Sequence, residues 1–263
     1  MNEFPLITVL TFTPLVGALV LLVFGSGQRN FGRSLGFFFS LLSLGLALLL
    51  WIRFDTGSAE LQFVERHRWI PTLGADDFYF VGVDGLGLLM VLLSALVVPM
   101  AMLASSKVEE KGTLYFALML LLQSGLFGAF TALNFFHWFI FWELSLVPAF
   151  FLIKLWGGPA RSHAATQFFV YTMAGSVALL LGFLAVAYAT GTFDFIRLAK
   201  MAETDGIATA LGAKLGWRNL AADRLALVIC IGVFLGFAVK VPLIPFHTWL
   251  PVAYAEAPTS TTM

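Results

Sequence analysis

Seven stretches, each of about 20 mostly apolar residues, follow one another along this chain. A stretch of that length crosses the hydrocarbon core of a bilayer as one helix, in which the backbone donors and acceptors are satisfied without water. We therefore predict an all-α fold, a polytopic transmembrane helix bundle with seven spans and the start of an eighth. The predicted spans are residues 4–24, 35–52, 83–103, 114–133, 135–153, 167–189 and 225–246.

Composition and cysteine content exclude several classes of function. Hydrophobic residues make up 60% of the chain and charged residues only 11%, which is not the composition of a water-soluble globule. Fifteen acidic residues balance fifteen basic ones, so no basic excess indicates nucleic acid as a partner. The single cysteine, Cys230, excludes internal disulfides, thiolate iron–sulfur clusters and cysteine zinc sites. Any redox chemistry must therefore belong to partner proteins.

The distribution of basic residues predicts the orientation of the bundle, with the N-terminus outside. In that orientation three short inner loops carry the pairs Arg29 and Arg33, Lys107 and Lys111, and Lys154 and Arg161. The longer segments, residues 53–82 and 191–224, then lie outside. In the first of these we predict a short β-hairpin packed on the membrane surface, with turn residues Pro71, Gly74 and Gly82. In the second we predict helix over residues 195–220, lying in the membrane interface.

Glu143 is a lone acidic residue near the middle of the fifth predicted span. The residues three and four positions away on its helix, Phe139, Ile140, Leu146 and Val147, are all apolar. Glu143 must therefore meet a cation on another helix or be protonated, because burial favours the neutral carboxyl. A carboxylate balanced between these two states is suited to carry protons. The alternative is a permanently neutral Glu that joins helices by hydrogen bonds.

Lys240 is a lone basic residue in the seventh predicted span, and two prolines follow it. Pro242 and Pro245 lack amide donors, so they release the carbonyls of Ala238 and Val241 and break the helix beside the ammonium. Broken helices at membrane depth occur where the backbone lines a wet cavity or is buried in protein, as in transporters. We predict a discontinuous seventh helix with a titratable amine at its break.

Lys240 lies roughly 23 Å from the outer end of its span, within one lysine side chain of the depth of Glu143. An ion pair between the two residues is therefore an expectation. The alternative is that Lys240 extends its side chain to the inner headgroups. His247 follows seven residues later, on the same face if the helix were continuous, and its imidazole can exchange a proton near neutral pH. A structural histidine in the turn is an equally good interpretation of His247.

Two motifs resemble a known family when they are taken together. The first runs from Phe141 to Pro148 and reads Phe-Trp-Glu-Leu-Ser-Leu-Val-Pro. The second runs from Val239 to Pro251 and reads Val-Lys-Val-Pro-Leu-Ile-Pro-Phe-His-Thr-Trp-Leu-Pro, with Ala-Pro-Thr ending at Thr259. They resemble the antiporter-like membrane subunits of respiratory complex I (NADH-quinone oxidoreductase), in particular those called subunit M or chain 4. The resemblance covers essentially the whole chain.

The resemblance implies a proton-translocating membrane-arm subunit that couples quinone reduction by NADH to proton pumping. Glu143 and Lys240 match the glutamate and lysine whose coupling is thought to drive translocation, and His247 is a candidate assistant. It implies no catalytic, cofactor or metal residue here, since NADH, FMN, iron–sulfur clusters and quinone belong to partner subunits. The expected partners are the L-type and N-type antiporter-like subunits, and the expected location is the bacterial inner membrane.

The sequence departs from the family pattern in two places. After Pro251 the family has Asp and often His two residues later, whereas this chain has Val252 and Tyr254, so an inner acid at that turn is in doubt. The chain also stops at Met263, at the start of an eighth span, where the family continues to about fourteen spans. We expect residues 1–112 to form a three-helix membrane segment with an outer loop, and residues 113–263 an incomplete first antiporter-like repeat. The remainder would be missing or encoded separately.

Other functions remain open at this point. A subunit of a multi-subunit Na+/H+ antiporter resembles this chain closely and needs no NADH-oxidising partner. Membrane-bound hydrogenases contain the same antiporter-like subunits. A purely structural membrane subunit would tolerate apolar residues in place of Glu143 and Lys240.

Overall fold

Helices of membrane-spanning length make up most of the structure. The computed structural model describes residues 4–24, 29–68, 78–105, 108, 110–216 and 221–263. Within them, seven helices are long and apolar enough to cross a membrane. They are α1 (Leu6–Phe24), α2 (Arg29–Arg53), α3 (Gly85–Ala104), α4 (Gly112–Thr131), α5 (Phe135–Trp156), α6 (Arg161–Thr190) and α9 (Ala222–Lys240). The predicted all-α transmembrane bundle is confirmed.

A two-stranded antiparallel hairpin lies between α2 and α3. Strands β1 (Gln62–Arg68) and β2 (Phe78–Val83) form it. The predicted turn residues Pro71 and Gly74 lie outside the described residues, and the prediction was wrong for Gly82, which lies within β2 because the strand continues to Val83. The Glu65 carboxylate accepts a hydrogen bond of 2.8 Å from the backbone N–H of Ile7 and so caps α1. This contact fixes which ends of the helices lie together, and we call that end of the bundle the hairpin end.

Helix α4 is the centre of the N-terminal part of the bundle. It contacts α1, α2, α3 and α5, and its buried face carries large side chains such as Tyr115, Phe116 and Phe127. Small residues allow its neighbours to approach closely, because a Cβ at Gly125 would lie 3.0 Å from the backbone nitrogen of Ser145 on α5. The Ser124 hydroxyl donates to the Thr11 carbonyl at 2.8 Å and joins α4 to α1. Helix α5 therefore packs closely against α4, which α1 contacts in turn.

Two short helices precede α9 in the second long segment. They are α7 (Phe195–Ala202) and α8 (Gly206–Leu215), so the predicted helical structure of residues 195–220 is confirmed up to 215, while residues 217–220 lie outside the described ones. Asp194 caps α7 by accepting from the backbone N–H of Ile196 at 2.8 Å. Its other oxygen lies 3.8 Å from the guanidinium of Arg66 on β1. The start of α7 therefore lies at the hairpin end.

The seventh spanning helix ends where the two prolines predict a break. Helix α9 stops at Lys240, six residues before the predicted span end, and a 3-10 turn, α10 (Trp249–Glu256) and α11 (Thr259–Thr262) follow. Helix α10 packs against α5 and α6, where Trp249 and Ala253 join a buried cluster with Ile153, Ala164 and Ala165. The chain after the break therefore folds back onto the ends of two helices rather than continuing across the bundle.

Candidate functional site

Glu143 lies in the middle of α5 and faces α6. One carboxylate oxygen, Oε1, accepts a hydrogen bond of 2.5 Å from the hydroxyl of Ser176. The other, Oε2, is buried and has no hydrogen-bond partner among the residues that the structure describes. A buried carboxylate oxygen with this unfilled position can accept a proton or a further donor.

Lys240 is the last residue of α9, and its ammonium is also buried. Nζ has no hydrogen-bond partner within the described part of the chain. It lies 4.2 Å from the centre of the Trp142 ring, a cation–π distance. Because Trp142 directly precedes Glu143 on α5, the cation of α9 is placed against the helix turn that carries the carboxylate.

The direct ion pair that the sequence predicted between Glu143 and Lys240 is not formed. Within the described ranges no N–O distance of 4.0 Å or less joins the two residues. Oε1 of Glu143 accepts a hydrogen bond from the Ser176 hydroxyl, and Nζ of Lys240 lies over the Trp142 ring. Both groups nevertheless lie at the same turn of α5, because Lys240 contacts Trp142 and Trp142 directly precedes Glu143. The two groups are thus close to one another but not in contact.

Helix α6, which carries the Ser176 donor, packs closely against α9, which carries Lys240. A Cβ at Gly175, next to Ser176, would lie 2.8 Å from the Cβ of Val239, next to Lys240. A Cβ at Gly236 would lie 2.7 Å from the backbone oxygen of Gly175. Only glycine fits at these two positions without pushing the helices apart, because real carbon contacts are about 3.5–4.0 Å.

The break after Lys240 leaves the carbonyls of Ala238 and Val239 paired rather than free. Pro242 and Pro245 interrupt the helix as predicted, and the released carbonyl of Ala238 accepts from the backbone N–H of Leu243 at 2.8 Å. The carbonyl of Val239 accepts from the indole N–H of Trp249 at 2.9 Å. The turn is therefore fixed on both sides of the lysine.

His247 lies apart from the two charges. It sits in the 3-10 turn Phe246–Thr248 and its side chain is exposed. In the described residues no hydrogen bond or ion pair links it to Glu143 or Lys240. The shared face expected for a continuous helix does not exist, because α9 ends seven residues earlier.

His137 is a buried residue to which the sequence argument gives no functional role. It is 1% exposed near the start of α5, where its ring meets Tyr79 at 4.8 Å and Phe141 at 4.7 Å. The Tyr79 hydroxyl lies 2.8 Å from that of Thr8, which donates to Glu65. Burial, opposed by the Thr8 hydrogen bond and assisted by the Glu65 charge, raises the pKa of Tyr79 to about 12. This cluster is visible only in three dimensions, where Tyr79 of β2 contacts His137 of α5.

Metal or cofactor ligands are a separate question from proton transfer. Within the described ranges no three His, Cys, Asp or Glu side chains are grouped to hold a metal ion. Glu143 and Lys240 themselves are a buried carboxyl group and a buried amine, a combination suited to acid–base chemistry.

Comparison with known proteins identifies the family that these motifs resemble. The family described as NADH:quinone oxidoreductase/Mrp antiporter, transmembrane, matches residues 132–263, which hold Glu143 and Lys240. F(420)H(2) dehydrogenase subunit M of Methanosarcina mazei is 38% identical over 97% of this chain and 49% of its own length. NADH-quinone oxidoreductase subunit M of Rickettsia conorii is 34% identical over 99% of this chain and 50% of its own. The chain thus spans about half the length of the curated relatives it matches.

Two solved structures have the same fold. A chain of respiratory complex I from Thermus thermophilus with bound NADH has a TM-score of 0.73 and 28% identity, over 95% of this chain and 47% of its own. A chain of the Mrp complex from Dietzia sp. has a TM-score of 0.73 and 23% identity, over 97% of this chain and 26% of its own, which shows the fold alone. The resemblance drawn from the two sequence motifs is confirmed.

Proposed function

Because this chain belongs to the NADH:quinone oxidoreductase/Mrp antiporter transmembrane family, we propose that it is a proton-translocating subunit of a redox-driven membrane complex. The observation that carries the proposal is the pair of buried ionisable groups near one another at a broken helix, Glu143 and Lys240. Ionisable groups are costly in a bilayer and are retained there for ion or proton movement.

The positions of the two groups support a proton transfer between them. Nζ of Lys240 holds a proton to give and Oε2 of Glu143 has an unfilled position to take one. Moving that proton neutralises both groups, so the transfer creates no isolated charge in the low-dielectric interior. A change in the partner subunits that alters the distance between α5 and α9 therefore changes which group holds the proton. When the proton returns to Lys240, the lysine releases it through the break, with the exposed His247 as an optional carrier, and a proton taken up from the other side restores the pair.

The energy for pumping comes from electron transfer in other subunits, and this chain has no redox site of its own. The partners are further antiporter-like subunits of L and N type, together with subunits that carry NADH, FMN, iron–sulfur clusters and quinone. The location is the bacterial inner membrane with the N-terminus outside. NADH is the donor in the name of the Rickettsia relative and F(420)H(2) in that of the Methanosarcina relative, so the donor is tested with both.

The experiment uses membrane vesicles that contain the intact complex. Proton uptake is followed with a pH-sensitive dye after addition of NADH or of reduced F(420), and electron transfer is measured in parallel with an uncoupler present. We expect Glu143→Gln and Lys240→Met each to lose most proton uptake. The matched controls Glu110→Gln and Lys154→Met change exposed residues of the same two types and should pump normally. Full pumping by both test variants would refute the proposal.

A sodium/proton antiporter subunit is the second candidate, because the description of the matching family names the Mrp antiporter beside NADH:quinone oxidoreductase. It predicts proton movement in vesicles that depends on a sodium gradient and needs no electron donor. Donor-driven uptake that is unaffected by sodium excludes it.

A further inference from the structure

We propose that Glu256 is a positioning residue for the Glu143–Lys240 pair: it fastens the segment after the helix break to the turn between α5 and α6. We call residues 248–256 the strap. This inference rests on the proposed function of the pair, because positioning matters only if the pair transfers protons. Glu256 is neither part of the pair nor one of the family-pattern positions considered above.

The C-terminal end of the strap is held by two hydrogen bonds to the α5–α6 turn. The Glu256 carboxylate oxygen Oε2 accepts a hydrogen bond of 2.8 Å from the backbone N–H of Ala160. The backbone carbonyl of Glu256 accepts another, also of 2.8 Å, from the N–H of Gly158. Ala160 precedes the first residue of α6 and supplies no side-chain cap of its own. Glu256 thus caps a helix start from a distant part of the chain, where a negative charge also complements the helix dipole.

The turn is shaped to receive this residue. A Cβ at Gly158 would lie 2.7 Å from the Glu256 carboxylate oxygen, and one at Gly157 would lie 2.8 Å from its carbonyl oxygen. A larger residue at Gly157 would meet the backbone of the strap, and one at Gly158 would displace the Glu256 carboxylate, so the sequence Gly157-Gly158 keeps the space that Glu256 fills.

The N-terminal end of the strap is held next to Lys240. The indole N–H of Trp249 donates to the carbonyl of Val239 at 2.9 Å, and the Trp249 ring packs 5.3 Å from that of Phe168 on α6. The hydroxyl of Thr248 donates to that of Tyr171, also on α6, at 3.1 Å. The residue that directly precedes Lys240 is therefore tied to the strap.

The strap connects these two anchors as one stiff unit. Trp249 and Glu256 are the two ends of α10, which is about 11 Å from end to end at 1.5 Å per residue. Helix α5 carries Glu143 and ends at the turn that Glu256 holds, while α9 carries Lys240 and ends at the carbonyl that Trp249 holds. The strap therefore fixes the ends of α5 and α9 relative to one another, and with them the Glu143–Lys240 distance.

The test separates the hydrogen bond of Glu256 from its charge. Glu256→Ala removes the acceptor for Ala160, whereas Glu256→Gln keeps a carbonyl acceptor without the charge. Trp249→Phe keeps the ring and removes only the N–H donor. Glu110→Ala is the matched control, because Glu110 is an exposed acid at the same end of the bundle, and among the described residues no hydrogen bond or ion pair joins its side chain to the strap. Protons moved per electron, the amount of assembled complex and the uncoupled electron-transfer rate are measured in vesicles with the intact complex.

We expect Glu256→Ala to lower protons per electron about threefold to tenfold, since a hydrogen bond to a charged acceptor shifts a two-state equilibrium by roughly a factor of ten. Assembly and uncoupled electron transfer should stay normal, Glu256→Gln should restore most of the ratio, and Trp249→Phe should lower it. The double variant Glu256→Ala with Trp249→Phe should be little worse than the stronger single variant, because both release the same strap.

Two results would overturn the positioning role. A normal ratio in Glu256→Ala shows that the strap does not set the pair. Equal loss in Glu256→Gln and Glu256→Ala shows that the charge itself is needed, as for a proton carrier. Lys240→Met separates this proposal from the proposed function: if Lys240→Met stops pumping and Glu256→Ala does not, only the positioning role fails.

Discussion

Replacing Gly175 with Ala should push α6 and α9 apart and move Lys240 away from Glu143. The added Cβ would lie 2.8 Å from the Cβ of Val239 and 3.1 Å from the carbonyl oxygen of Gly236. Ordinary contacts between carbon atoms are about 3.5–4.0 Å, so the helices must separate by about 1 Å. Forcing a methyl group into a packed interface of this kind costs about 1–3 kcal/mol.

Gly232→Ala provides the control on α9 itself. In the described structure nothing lies within 4 Å of a Cβ at Gly232. Alanine there should be neutral or stabilise by up to about 1 kcal/mol, because it is the better helix former. The two variants are compared by thermal unfolding of the purified complex and by donor-driven proton uptake in vesicles. We expect Gly175→Ala to lower both and Gly232→Ala to lower neither. If the two variants behave alike in both assays, the close packing of α6 and α9 does not position the pair.

Three further predictions concern the surroundings of the site. Glu65→Ala should destabilise the contact between the hairpin and α1 by about 1 kcal/mol, since it removes the cap of α1. Hydrogen exchange over residues 62–68 and 78–83 should become faster, and unchanged exchange would contradict the prediction. Tyr79 has a pKa of about 12 against an ordinary 10.0, a difference that corresponds to about 3 kcal/mol at most. That contribution is complete below pH 10 and is lost as the pH rises through 12, so Tyr79→Phe should flatten the alkaline loss of stability, and an equally steep loss would count against it. Trp142→Leu removes a cation–π contact worth about 2 kcal/mol to a desolvated ammonium, so it should reduce proton uptake more than Trp142→Phe does; equal uptake would exclude a role for the ring.

The spans and the helix break could be predicted because each follows from local sequence. Apolar length decides which segments cross a bilayer, and two prolines after Lys240 end α9 whatever surrounds it. The turn signals between β1 and β2 similarly predicted the hairpin. These parts of the fold need no knowledge of which helices are neighbours.

The contacts of the two charges could not be predicted because they depend on helix neighbours. Ser176 is one of many small polar residues in the spans, and nothing in its surrounding sequence distinguishes it as the partner of Glu143. The ring of Trp142 was equally hidden, since an aromatic residue near an ionisable one is common in membrane helices. The predicted direct ion pair is not formed, since Oε1 of Glu143 accepts from Ser176 and Nζ of Lys240 lies over the Trp142 ring instead.

Infrared difference spectroscopy during donor-driven turnover tests the central claim most directly, because it detects a carboxyl group that gains or loses a proton. We predict a carboxyl band in the intact complex that disappears in Glu143→Gln and weakens in Lys240→Met, while Glu110→Gln leaves it unchanged. A spectrum that is the same in all four proteins would show that Glu143 does not exchange a proton and would contradict the account.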